Sequence, residues 1–392
     1  MAEKHYDIVI AGGAMAGATL ALALNKLNSS LSIAIIEPFQ VGDDEHPGFD
    51  SRSIALSYGT TQILEKFELW RLLKPDATPI NTIHVSDKGH AGMTDINRKD
   101  YGVDALGYVV ELANVGHVYN QRIEQAPNID FICPDSVVAV DSQQSKNTIT
   151  LESGERIECS LLVAADGAIS RCCELMKVDN SQLDFEQVAV IANIQVSQLH
   201  QGRAFERFTS SGPLALLPMT QNRMSLVWCL TPERAEQLSS ASEAEFIADL
   251  QTEFGWRLGA ITQVGERASY PLILHKKGQI TSHRFATVGN AAQALHPIAG
   301  QGFNLGIRDV ASLAEEISEA TDPGSFSALS QYQKRRESDR RSTINLTAGL
   351  VHIFSNEWFP MVIGRNLSLM AIDNVTSLKK PLLNRTMGLV RR

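Results

Sequence analysis

The chain has 392 residues, 44% of them hydrophobic and 20% charged, and a formal net charge of −9. That length exceeds the size at which one hydrophobic core usually stops growing, so two packed domains are expected; the acidic balance argues against a nucleic-acid binder, which carries a basic surface field. Five cysteines with no Cys-x-x-Cys pair and no ligand-like spacing to histidine point to reduced thiols in a cytoplasmic compartment, not to disulfides or a metal, and no apolar run reaches the ~18 residues of a spanning helix.

Residues 6–11 read as a buried strand, 12–17 as a tight turn, 18–27 as an Ala/Leu-rich helix and 32–37 as a second apolar strand. The Gly12-Gly13 break fits this arrangement better than a secretory signal over 8–24. Such a βαβ unit requires a parallel sheet with a right-handed crossover. Its turn, Gly12-Gly13-Ala14-Met15-Ala16-Gly17, follows G-x-G-x-x-G except that Ala14 replaces the middle glycine. Glycines there let the backbone approach a pyrophosphate whose charge is met by the helix N-terminal amides, and one methyl tightens that approach. Glu37, at the end of the second strand, stands where a carboxylate accepts hydrogen bonds from an adenosine ribose. These residues predict a dinucleotide and leave NAD and FAD both open.

Farther along, an apolar strand over 161–165 ends in Asp166-Gly167. Another, over 285–288, ends in Gly289-Asn290 and leads through a Gly-rich loop to a helix near 306–317. Three strand-end loops far apart in sequence are thus read as parts of one site. Between the last two lie β-leaning segments at 188–196, 203–208, 214–219 and 225–230, with few helical signals, which suit an inserted, largely antiparallel sheet. A helical stretch over 332–354 opens the C-terminal region. From residue 331 onward eleven Lys/Arg stand against four Asp/Glu, so this end is +7 and the remainder −16. The asymmetry suggests an acidic partner or anionic lipid head groups, set against a solvated helix face around Lys334-Arg335-Arg336.

The segment Ala164-Ala165-Asp166-Gly167-Ala168-Ile169-Ser170-Arg171 resembles the Asp-Gly loop of the class A flavoprotein aromatic hydroxylases, the p-hydroxybenzoate hydroxylase-like family. The run GNAAQALHPIAGQGFNLGIRD from Gly289 to Asp309 resembles that family's third fingerprint, usually Gly-Asp-Ala-Ala-His followed by Pro and a Gly-x-Gly-x-Asn loop. Asn290 replaces the usual aspartate and Gln293 the usual histidine. With Leu295-His296-Pro297, these departures resemble the 2-polyprenyl-6-methoxyphenol hydroxylase subgroup of the ubiquinone pathway. The stretches Phe49-Asp50-Ser51-Arg52-Ser53-Ile54-Ala55-Leu56, Val85-Ser86-Asp87-Lys88-Gly89-His90 and Gly202-Arg203-Ala204-Phe205-Glu206-Arg207-Phe208 agree with it, and the likeness runs from about residue 6 to about residue 370.

The resemblance implies an α/β fold: a discontinuous FAD-binding Rossmann-like domain (1–76, 103–178 and 282–330), an inserted, largely antiparallel β substrate domain (77–102 and 179–281) and a C-terminal helical region (331–392). It implies FAD as cofactor, NAD(P)H as electron donor and O2 as co-substrate, with hydroxylation of a hydrophobic polyprenyl phenol. Gly12, Gly13, Ala14, Gly17, Glu37, Arg52, Asp166, Gly167, Gly289, Asn290, Gly300, Gln301, Gly302, Phe303 and Asn304 are the expected cofactor residues. Arg52 is expected at an FAD phosphate or ribose and Asn290 at the ribitol hydroxyls. Gly300 and Gly302 are expected to expose amides beneath the ring, where the following helix N-terminus favours negative charge, and Gly302 is expected to need glycine for close backbone approach and for its backbone angles. His296 and Pro297 are the expected substrate-side residues, His296 as a candidate phenol base, with Trp228 and Phe303 as candidate pocket walls. No histidine forms a metal-ligand pattern such as His-Glu-x-x-His. A polyprenyl tail outgrows a closed pocket and calls for an apolar channel, a partner assembly or a peripheral contact at the inner membrane, near the apolar stretch 358–370. The competing readings are a hydroxylase of another ring position, a flavin-dependent isoprenoid reductase, and a flavoprotein scaffold without turnover. Oligomeric state, tail length and the choice of NADH or NADPH are not legible.

Overall fold

The computed structural model describes residues 4–40, 52–354, 359–374 and 384–390. Strand β1 (Lys4–Ala11) carries an unbroken apolar run, Ile8 to Ala11, that is almost wholly buried, as a strand covered on both faces requires. Helix α1 (Met15–Leu27) follows and returns the chain to β2 (Ile33–Ile36). These belong to a sheet in which Phe285–Thr287, Arg156–Ala164, β1, β2 and Ile129–Ile132 lie side by side, all parallel. The hairpin Val137–Ser142/Asn147–Leu151 extends it in the antiparallel sense.

Register decides where the loops emerge. Ala11 stands opposite Ile36 on one side and Ala164 on the other, and Ala164 stands opposite Thr287. Four strands therefore end flush, and the segments beginning at Gly12, Glu37, Ala165 and Val288 leave from one line.

The second sheet is built on Asn180–Val196, Arg203–Thr209, Gly212–Pro218, Arg223–Leu230 and Ala268–Lys277, antiparallel throughout. Thr82–Asp87 joins it parallel to Arg203–Thr209, and Met93–Asn97 follows. Gln293–Ala294 also pairs with this sheet, so the segment after Gly289 touches both sheets. A small third sheet joins β3 (Ser53–Ser57), Thr78–Ile80 and Gly107–Glu111, and α2 (Tyr58–Lys66) follows β3 directly.

The block read as poor in helix contains two helices. Pro232–Ser240 starts with Thr231 as N-cap and proline in its first turn, and Glu243–Phe254 starts with a capping box between Ser242 and Glu245. Both signals stand in the sequence, overshadowed by the β-rich segments around them. These helices cover the outer face of the second sheet. Trp228, considered above as a pocket wall, is buried in that core with its ring edge-on to Phe246.

At the C-terminal end a long helix, Phe326–Phe354, packs along Gln301–Ser318, and Phe359–Asn374 packs on Met93–Asn97. The solvated face expected around Lys334-Arg335-Arg336 holds only in part. Arg335 pairs with Glu315 and Glu316, while Arg336 is fully buried with its Nε 2.7 Å from Asp309. Arg341 pairs with Glu337 on the exposed face, while Arg365 pairs with Asp87, so part of the positive excess meets acids from the rest of the chain. No helix among the described residues is long and apolar enough to cross a membrane.

Candidate functional site

The glycine turn after β1 is required by its surroundings. Gly12 has φ 98°, and a Cβ there would stand 2.5 Å from the Ala165 carbonyl oxygen; a Cβ on Gly17 would stand 1.9 Å from the Gly12 oxygen. Ala14 is the N-cap of α1 in extended backbone, φ −69° and ψ −170°, which any L-residue adopts, so the missing glycine costs the turn nothing. Helix α1 has no side-chain cap and no acidic residue in its first turn, leaving its first amides for an anion. Glu37 is buried and braces the turn: its Oε2 accepts from Gly13 N–H at 2.5 Å and its Oε1 from Phe39 N–H at 3.0 Å.

In the second loop, Asp166 Oδ2 accepts from Cys172 N–H at 3.0 Å, whereas Oδ1 is buried with no hydrogen-bond partner among the described residues. Gly167 follows at φ 89° beside open space. The third loop starts at Gly289, φ 62°, where a Cβ would meet Ala16 Cβ at 2.9 Å, and a Cβ on Gly306 would meet Gly289 Cα at 3.0 Å. Helix α1 and Gln301–Ser318 thus close on one glycine. Next to it Asn290 is exposed, and nothing among the described residues hydrogen-bonds its amide.

Gln293 turns inward instead. Its Nε2 donates to Asp309 Oδ2 and its Oε1 accepts from Arg340 Nε, both at 2.6 Å. This joins it to a buried ionic group in which Asp309 faces Arg336 and Asp339 faces Arg308. Arg336 Nη2 lies 2.7 Å from Asp339 Oδ2 but off the hydrogen-bond direction, so it counts as an ion pair only.

Gly300, at φ 59°, is the N-cap of Gln301–Ser318, which also lacks a side-chain cap and an acidic first turn. Gly302 differs from expectation: it lies inside the helix, and a Cβ there would meet Leu295 Cβ only at 3.8 Å. Its backbone needs no glycine, so any requirement comes from a close ligand. Asn304 also differs, because its side chain is saturated by protein. Its Oδ1 accepts from Ser57 N–H and Thr60 Oγ1–H, and its Nδ2 donates to the Ala55 and Gly300 carbonyls. It holds the turn in place. Gln301 Nε2 donates to the Thr386 carbonyl at 3.3 Å, and Phe303 packs against the first core.

His296 is 1% exposed, and burial pushes its pKa down to about 4. Its Nδ1 accepts from Ile298 N–H at 3.2 Å, so the proton sits on Nε2, which donates to Gln187 Oε1 at 3.1 Å. Both nitrogens are thereby used in shaping the loop that carries half-buried Pro297 and Ile298. Arg52 lies with its guanidinium 5.3 Å over the ring of Tyr270, a residue of the second sheet. Sequence reasoning missed Ser57 and Thr60, the partners of Asn304, and Gln187, the partner of His296; no local pattern marks them.

FAD fits this arrangement on the structure's own terms. The uncapped N-terminus of α1, a turn that only glycine can fill at Gly12 and Gly17, a buried unpaired Asp166 oxygen and an exposed Asn290 amide follow one line of strand ends, and the uncapped N-terminus of Gln301–Ser318 begins beside Ala55. The sequence model of the FAD binding domain family matches residues 5–346. Ubiquinone hydroxylase UbiL of Rhodospirillum rubrum is 32% identical, over 100% of this chain and 91% of its own length. The 3-demethoxyubiquinol 3-hydroxylase of Escherichia coli is 30% identical, over 99% of this chain and 100% of that protein. Among solved structures, p-nitrophenol 4-monooxygenase PnpA from Pseudomonas putida shares the fold, with a TM-score of 0.82 and 17% identity over 98% of this chain and 99% of that one. The chain belongs to the FAD binding domain family, among the flavin-dependent monooxygenases related to the ubiquinone hydroxylases.

Proposed function

We propose that the protein binds FAD along the line of strand ends and hydroxylates the ring of a polyprenylated methoxyphenol in ubiquinone biosynthesis, using NAD(P)H and O2. The observation that carries this reading is the register in which Ala11, Ile36, Ala164 and Thr287 end together. It gathers Gly12, Glu37, Asp166 and Asn290 from four distant parts of the chain. When bound, the flavin supplies the transfer of electrons to O2 and of oxygen to the ring, chemistry that no side chain provides.

The residues of the chain do the remaining work. The first-turn amides of α1 meet the pyrophosphate charge, Glu37 and Asp166 offer acceptors to sugar hydroxyls, and Asn290 faces the ribitol. The amides after Gly300 favour negative charge on the ring. His296 and Pro297 fix the loop before that turn, His296 as a neutral positioning residue instead of a base. The apolar clusters around Ile298 and Met219 exclude water from the reacting atoms. A polyprenyl tail exceeds a closed pocket of a few hundred cubic ångströms and leaves through an apolar opening, which suits a cytoplasmic protein working at the inner membrane or within a biosynthetic assembly.

The test is O2 uptake and NAD(P)H oxidation by the FAD-loaded protein with a short-tailed 2-methoxy-6-prenylphenol, followed by identification of the product. Uptake coupled to a hydroxylated product separates this reading from a reductase or a scaffold, and the substituted carbon separates it from a hydroxylase of another position. FAD-loaded protein that neither binds nor oxidises the phenol removes it.

A further inference from the structure

The motif Gly202-Arg203-Ala204-Phe205-Glu206-Arg207-Phe208 has no part in the cofactor site. Within Arg203–Thr209, Phe205 packs edge-on against Phe254 at 5.1 Å, and Arg207 Nε donates to the Glu253 carbonyl at 2.9 Å. Both face the helix Glu243–Phe254 on the outer side of the second sheet. Glu206, between them, projects from the inner face, because side chains alternate along a strand. Its neighbours on that face reach toward the flavin turn from two directions. Ala204 shares an apolar cluster with Ala55, whose Cβ is 3.6 Å from where a Gly300 Cβ would stand. Phe208 shares another with Ile298, two residues before Gly300.

Strand register extends this position into a row. Glu206 stands opposite Val85 and Ala215, Ala215 opposite Val227, and Val227 opposite Ile191. All five are half-buried, whereas the alternating outer residues Phe205, Leu214, Leu216, Leu226 and Trp228 are fully buried. Four aliphatic residues on the face bracketed by the flavin turn thus keep part of their surface uncovered. Glu206 is the only ionisable member of the row. On the same face lies the Cys229 thiol, pushed up first by burial and then by the negative charge of Glu206.

We propose that Glu206 receives the phenol of the substrate: its carboxylate accepts the hydrogen bond of the O–H and holds the aromatic ring between this row and the Gly300 turn. The proposal rests on the reading of the protein as a phenol hydroxylase. Reference pKa values of about 4.3 for a Glu carboxyl and about 10 for a phenol make the carboxylate too weak a base to hold the proton outright. Its role is therefore to orient the ring and enrich it in electron density through a charge-assisted hydrogen bond.

The experiment compares FAD-loaded wild type, Glu206→Leu and Ala215→Leu, titrating each with short-tailed 2-methoxy-6-prenylphenol and with its O-methyl ether. Binding is read from the flavin absorbance, and product is measured per NAD(P)H consumed. Wild type is expected to prefer the phenol over the ether tenfold or more. Glu206→Leu is expected to lose that preference and at least tenfold of product yield at unchanged FAD content, and Ala215→Leu to weaken both ligands alike. A phenol preference retained in Glu206→Leu, or ligand binding unchanged in Ala215→Leu, overturns the proposal while leaving the hydroxylase reading intact. If FAD-loaded wild type binds neither ligand, the hydroxylase reading falls and the proposal with it.

Discussion

At Asn290 an exposed amide stands at a strand end between Gly289 and Ala291, where the related pattern has aspartate. If it holds ribitol hydroxyls, Asn290→Asp keeps an acceptor and binds FAD as tightly or more tightly. Asn290→Leu leaves those hydroxyls unpaired at a cost of roughly 1–3 kcal/mol, about a ten- to hundredfold loss of affinity, read by titrating refolded apoprotein. The two glycines of the third loop separate in the same assay. Gly300→Val forces a β-branched residue into the left-handed region at roughly 1–2 kcal/mol and lowers thermal stability. Gly302→Val folds normally, since its backbone is helical, and weakens FAD only through the approach of the ring. His296 carries a pH dependence. Its folded pKa, about 4, lies below its unfolded value of about 6.5, so the native state favours the neutral ring. The contribution is complete above pH ~6.5 and is lost as pH falls toward ~4, where the unfolded chain takes up a proton that the native state refuses. Roughly 3 kcal/mol is involved at most. In His296→Gln, urea unfolding at pH 7 and pH 4.5 should show correspondingly less loss on acidification than wild type.

Between elements, the buried ionic group ties the helix Gln301–Ser318 to the long helix Phe326–Phe354. Asp309 and Arg336 are both 0% exposed in their side chains. Removing one partner strands a buried charge, so Asp309→Asn should cost roughly 3–5 kcal/mol in urea unfolding. Adding Arg336→Met should recover most of that loss, because the Arg308–Asp339 pair then stays balanced. A double variant as unstable as the single one would contradict this account. The two helices overlooked in the second sheet teach a related lesson. Their caps at Thr231 and Ser242–Glu245 were legible locally, but only the sheet beneath shows why Phe246, Leu250 and Phe254 bury one face.

For the molecule as a whole, the chain end returns to the site. Gly59 N–H donates to the Met387 carbonyl at 2.7 Å, a Cβ on Gly59 would stand 2.4 Å from the Gly388 oxygen, and Met387 is buried in the cluster containing Ala55. With Gln301 bonded to Thr386, this segment clasps both the start of α2 and the start of the helix Gln301–Ser318. Deleting residues 384–392 should leave the two sheets folded by circular dichroism and weaken FAD binding several-fold; unchanged FAD affinity would show that the clasp has no hold on the turn.

The βαβ unit and its glycine turn were legible in the sequence from local rules, an apolar run bounded by glycines and backbone angles that other residues resist, whereas the third loop was legible through its likeness to the family fingerprint. Glu37 was marked by its distance from that turn, and Asn290 by its place in the family's Gly-Asp pair. Tertiary structure alone decided which side chains have capacity left for a ligand. Asn304 and His296 carry the right chemistry in the right place, yet their polar atoms are bonded to Ser57, Thr60, Ala55, Gly300, Gln187 and Ile298. The fate of the C-terminal charge was likewise invisible, since Arg336 and Arg365 find Asp309 and Asp87 only after folding. Hydrogen-bond saturation and burial depend on partners distant in sequence, and no local pattern encodes them.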